Sequence, residues 1–140
     1  MIPNDDVKQA LKEHLRADAT IVARLPDGVQ GVREQFWKGT VFQYPNVRID
    51  LESQIDATPD TNCTPAYQDW SIYVFSEHHS SQEADDIAGV VMSFFRGSSF
   101  TANNVKFSKV SVLENIPATP EDEHTWRAQV RCRSLINQVA

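Results

Sequence analysis

Between Asp69 and Arg96 the chain changes its hydrophobic period once, at a short polar joint. Before the joint, Trp70, Ile72 and Val74 alternate with Asp69, Ser71 and Tyr73. That two-residue beat predicts a strand. After it, Ala84, Ile87, Ala88, Val91 and Phe95 recur at spacings of three and four, the beat of an amphipathic helix. The joint, Ser76 to Gln82, is too short to carry the helix away from the strand, so the helix must fold back across the sheet that the strand belongs to.

Other segments add elements to this unit. Asn4, Asp5 and Asp6 suit the start of a helix from Asp5 to about Ala17, with Val7, Ala10, Leu11 and Leu15 on one face. Asp18 is placed to cap a second short helix, Ala19 to Leu25, which Pro26-Asp27-Gly28 ends as a turn. Val29 to Arg33 is at most a short strand, and Glu34 to Pro45 fits neither period. Val47, Ile49 and Leu51 alternate with Arg48, Asp50 and Glu52 as a half-buried strand. With the strand Tyr67 to Ser76 it predicts a long antiparallel hairpin whose tip lies in the polar segment Asp56 to Pro65. The third helix, about Ser81 to Phe95, is expected to be capped by Ser80 or Ser81 and ended by Gly97.

Val105 to Leu113 reads as a strand whose phase slips, because Val105 and Phe107 are odd-numbered and Val110 and Val112 even. A bulge near Ser108-Lys109, or a strand apolar on both faces, accounts for the slip. Ile116 to Asp122, with Pro117 and Pro120, reads as a turn, and His124 to Leu135 as a long last strand. The order predicts one α+β domain over 1–140: a mostly antiparallel sheet of four to five strands with helices packed on one face.

Composition narrows the function classes. With 140 residues, the chain is long enough to bury a core as one domain. A net charge of −6 argues against a broad phosphate-binding surface. No apolar run is long enough to span a bilayer, and the acidic start MIPNDDVK lacks the pattern of an export signal, so a cytosolic product is expected. The two cysteines, Cys63 and Cys132, are expected to be reduced, and the glycosylation triplet Asn62-Cys63-Thr64 is read as a chance match.

Candidates for chemistry are few. His78-His79 is the first place to look for a metal. Neighbours in extended chain point to opposite sides, however, and His14 and His124 lie in distant elements. Ser80-Ser81 has no surrounding nucleophile elbow and is placed as a helix cap. Gly28-Val29-Gln30-Gly31 lacks the lysine and following helix of a phosphate loop. Glu83, Asp85 and Asp86 complement a helix N-terminus. No catalytic residue, metal or cofactor is therefore expected.

Two surface features remain. Arg127, Arg131 and Arg133 share one face of the last strand, about 7 Å apart per two-residue step. They either pair with Asp50, Glu52 or Asp69 on neighbouring strands or meet an acidic surface of another subunit. Phe36, Trp37, Phe42 and Tyr44 fall within one twelve-residue connection; they cap the core or anchor a partner.

In element order the chain resembles the tail terminator (tail completion) proteins of tailed bacteriophages, including the small minor-tail family of long-tailed phages. The similar features are the helix DVKQALKEHLRAD, the short helix TIVARL, an aromatic connection ending in Tyr-Pro, and the strand NVRIDL. The strand YQDWSIYVFS running into the helix QEADDIAGVVMSFFRG follows, then a closing hairpin of VKFSKVSVLEN and EHTWRAQVRCRSLI. The polar tip and the double histidine have no counterpart in the family pattern.

The resemblance implies a structural virion protein, not an enzyme. It implies a ring, usually hexameric, on the head-proximal end of the tail tube, assembled in the host cytoplasm. Such a ring stops tube growth, docks the head connector or stopper, and lets genome DNA pass through its lumen without specific binding. Heterologous contacts between two patches, the aromatic connection and the arginine stripe, suit such a ring. The competing readings are another head–tail joining (neck or stopper) protein and, from a different class, a small-molecule-binding α+β domain centred on His78 and His79. A third, a host regulatory or toxin-related domain, calls for a basic nucleic-acid face.

Overall fold

The computed structural model describes residues 2–39, 42–57 and 65–139. Three α-helices, α1 (Asn4–Arg16), α2 (Ala19–Val22) and α3 (Gln82–Phe95), lie against a single six-stranded sheet. Its strands are β1 (Val32–Glu34), β2 (Asn46–Asp56), β3 (Ala66–Ser76), β4 (Phe100–Ala102), β5 (Val105–Pro120) and β6 (Trp126–Gln138), in the order β1-β2-β3-β6-β5-β4. The pairings are antiparallel except β1 with β2, which is parallel. The α+β class holds, while the expected four to five strands become six in a mixed sheet.

The predicted period change is the centre of the fold. Trp70, Ile72 and Val74 of β3 point toward the helices and are fully buried. Trp70 meets Phe95 of α3 edge-on at 5.7 Å between ring centres, and Phe107 of β5 at 5.6 Å. Val47 and Ile49 on one side, and Ala128, Val130 and Cys132 on the other, extend the same layer across the sheet by direct register with β3. Helix α1 closes the layer with Val7, Ala10, Leu11 and Leu15. His14, in the last turn of α1, stacks on Phe100 at 3.5 Å and lies 4.5 Å from Phe94.

The ends of the elements differ in instructive ways. Asn4 does not cap α1; Pro3 precedes it and no side chain caps it. Asp18 does cap α2, accepting from the Thr20 amide at 2.9 Å, but that helix stops at Val22 instead of Leu25. Ser81 holds the N-cap position of α3 without a side-chain bond, while Ser80 Oγ accepts from the Gln82 amide at 3.3 Å. Gly97 follows α3 at φ +70°, a conformation that glycine adopts without steric cost.

The predicted slip in β5 is real: register shifts between Ser108 and Ser111, where Lys109 sits at φ 43°. A non-glycine residue held there carries roughly 1 kcal/mol of strain. Lys109→Gly is expected to leave thermal stability unchanged or raise it by up to about 1 kcal/mol, as read by calorimetry, whereas Lys109→Val is expected to lower it.

The reading of Ile116 to Asp122 as a turn is corrected. β5 runs on to Pro120, so Ile116 to Pro120 is strand and the turn is Glu121 to Thr125, closed by the Glu121 amide on the Thr125 carbonyl at 2.8 Å. The prolines suggest a turn in sequence, but β4 covers β5 only from Val105 to Phe107. The remainder is an edge with respect to other strands, where a missing amide is tolerated. β4 itself has only three residues and gives no alternation to read. The tip of the β2–β3 hairpin, with Cys63 and its triplet, falls at 58–64, outside the described residues.

Candidate interaction surfaces

The helices leave one face of the sheet open, and the register sorts its side chains into cross-strand rows. At one end Ile55, Tyr67 and Leu135 stand side by side, with Ile55 59% and Tyr67 48% exposed. The next rows are charged. Arg133 grips Asp69 with two parallel bonds, 2.6 Å and 3.0 Å. Arg131 binds Glu52 at 2.9 Å and also Glu114. Ser71 donates to Glu52 and accepts from Gln129 at 2.9 Å, completing a network across β2, β3, β6 and β5. These carboxylates hold the Arg131 and Arg133 guanidiniums more firmly charged than usual, hydrogen bonding being the larger cause.

The arginine stripe therefore finds its acids within its own chain. Arg127 completes the set with Glu121 at 3.3 Å. Of the three partners expected from sequence, Glu52 and Asp69 are used, whereas Asp50 is not paired with the stripe. Burial, with Glu52 nearby, pushes the Asp50 carboxyl above the ordinary range.

At the opposite end of the open face the rows become aromatic. Arg127 lies over Tyr73 at 5.3 Å, and Tyr73 stands 6.3 Å from Phe75. Arg48 is sandwiched between Phe75 at 4.7 Å and Phe42 at 4.9 Å. Phe42 meets Trp37 edge-on at 5.5 Å, and Arg33 lies over Trp37 at 4.0 Å. Tyr44 is half-buried in the same connection, while Phe36 is 81% exposed.

This ladder joins what the sequence presents as two separate patches. The aromatic connection and the arginine stripe form one continuous surface, bridged by Arg48, Phe75 and Tyr73. Arg33 and Arg48 escaped sequence reasoning because their partners come from separate segments, Trp37 and Phe42 from the aromatic connection and Phe75 from β3. Both hydrogen-bond to neutral acceptors, Arg33 to the Gln30 carbonyl and side chain and Arg48 to Asn46 Oδ1 and the Gln35 carbonyl. Among the described residues neither lies within ion-pair distance of a carboxylate.

The histidines fall differently from expectation. His78 and His79 sit in a bend, with ring centres 5.7 Å apart. The β5–β6 turn brings His124, expected to be distant, to the same cleft of about 590 Å³. Glu77, Asp122 and Glu123 border it, and Trp126 Nε1 donates to the His78 carbonyl at 3.2 Å. Even so, no three His, Cys, Asp or Glu side chains among the described residues converge in a way that would hold a metal ion. Cys132 is buried in the core and its thiol is pushed up to about 12 by desolvation, so it is not a nucleophile at neutral pH.

No protein-family model matches the sequence, and no curated protein matches it. The fold, however, is shared with solved structures. A chain from the virion of a native gene transfer agent (GTA) particle superposes with a TM-score of 0.70 at 20% identity, covering 94% of each chain. A second solved chain, known by a sequence identifier alone, superposes with a TM-score of 0.64 at 14% identity over 100% of this chain and 99% of the other.

Proposed function

We propose that this chain is a structural virion protein that closes into a ring on the head-proximal end of a tail tube, ends tube growth and offers a docking face to the head connector. The observation that carries the proposal is the end-to-end sharing of a fold with a chain of a gene transfer agent virion, 94% of each chain. Element order resembling the tail terminators points the same way. The candidate surfaces are aromatic and cationic, which suits protein contacts. An acidic balance of −6 keeps a lumen from gripping passing DNA. Partners in this reading are other copies of the chain, the tube protein and the connector.

The test is location. Particles carrying a tagged copy of the chain, imaged by electron microscopy with a gold-labelled ligand for the tag, should show label at the junction of head and tail. Label spread over the capsid or at the distal tail tip would contradict the proposal. Label at the junction that stays with heads when tails are detached would favour a neck or stopper component.

A further inference from the structure

Ring closure needs a second, different patch to receive the first. Because the aromatic connection and the arginine stripe are one surface, the receiving patch must lie elsewhere. Two features of the chain match each other in shape and charge.

The first is a knob. Phe36 projects from the turn after β1 with 81% of its surface bare, although an aromatic ring of this size is ordinarily covered. Arg33 and Arg48 stand in the same ladder over aromatic faces and form no ion pair, although Arg33 also feels the charge of neighbouring Glu34, whose carboxylate is bonded to Lys12. A bare aromatic flanked by arginines that rest on aromatic faces and form no ion pair has the composition of a binding hot spot.

The second is a cleft of about 350 Å³ at the start of α3, on the helical layer and so on a different face of the molecule. Ile87 forms its apolar floor, with Glu83 and Asp86 on the rim together with Gln82, His78 and a single cation, Arg24. Glu83 is held in place by Ser76 Oγ, which donates to it at 2.7 Å.

We infer that Phe36 of one copy seats in the α3 cleft of the next, with Arg33 and Arg48 opposite Glu83 and Asp86. The occupant is a second copy of this chain because the cleft supplies two carboxylates to arginines that form no ion pair within their own chain. The contact is head-to-tail, so it propagates around a cycle instead of stopping at a symmetric dimer. The inference rests on the ring reading above and adds to it the two surfaces that meet.

Sedimentation velocity of the purified full chain up to roughly 100 µM tests it against the affinity expected of such an interface. Phe36→Ser touches no core residue and is expected to weaken self-association by about tenfold or more. Arg33→Glu and Asp86→Lys are each expected to weaken it similarly, and the double variant to recover most of the loss, because opposite charges face each other again. Recovery in the double variant separates a lost contact from a lost fold. Oligomers that form equally well in Phe36→Ser and Asp86→Lys overturn this interface and leave the ring intact. A wild-type chain that stays monomeric throughout overturns the interface and the ring together.

Discussion

Replacing Trp70 with alanine is expected to destabilise the protein by about 4 kcal/mol, the cost of emptying a large aromatic site in a packed core. Trp70 is fully buried at the crossing of β3, α3 and β5, where its ring meets Phe95 and Phe107 edge-on. The space cannot collapse easily, because β3 is paired along its length on both sides. For a domain of this size the loss corresponds to a fall of roughly 10–15 °C in melting temperature. The indole Nε1 has no hydrogen-bond partner in its buried site, so the contribution comes from packing and not from a polar contact. Trp70→Phe, which drops that unsatisfied group and keeps an aromatic ring, is accordingly expected to cost only about 1 kcal/mol. Denaturant unfolding of the two variants checks the argument. Equal losses in both would show that the indole contributes something beyond filling the core.

The second large effect is a loss of stability in mild acid. Burial among Phe94, Phe95 and Phe100 lowers the His14 pKa from 6.5 to about 4, with Asp18 opposing by a smaller amount. Nε2 is buried without a partner, so the fold holds the neutral imidazole. The unfolded chain takes up a proton as pH falls through 6.5, and the folded chain does so only near 4. Between those values the unfolded state binds more protons, and stability therefore falls as pH falls. The contribution is complete above pH 6.5 and gone below pH 4, and amounts to less than the roughly 3 kcal/mol of the full shift because the ring is only partly buried and solvent screens its charge. Other carboxylates titrate at its lower end, so the readout is a comparison: His14→Leu is expected to flatten the profile between pH 6.5 and 5 relative to wild type. A profile unchanged by the substitution would assign the acid loss to other groups.

How far the sequence disclosed this molecule depended on how local each signal was. The run from Trp70 to Phe95 carries both periods within one stretch, and the structure follows it closely. The bulge at Lys109 was visible too, because an extra residue shifts the parity of every apolar position after it. β4 was hidden, since three residues carry no period. The continuation of β5 through Pro117 and Pro120 was hidden as well, because a proline marks a turn unless the strand is known to lie at an edge.

The surfaces were legible in part. Same-face placement of Arg127, Arg131 and Arg133 follows from alternation alone, and so does the availability of Glu52 and Asp69. The choice between those pairs and a partner needed the register of β3 against β6. Merging the arginines with the aromatic connection needed Arg48 and Phe75 brought together across β2 and β3. The gathering of His124 with His78 and His79 is likewise a product of topology, with no trace in spacing.

The central claim is that this chain works through surfaces that fit copies of itself and its neighbours. Light scattering coupled to size exclusion on the purified protein addresses it most directly. The account predicts a closed assembly of one fixed mass, an integral multiple of the 15.8 kDa chain, that does not grow further as concentration rises. A single species at 15.8 kDa at every concentration would contradict it.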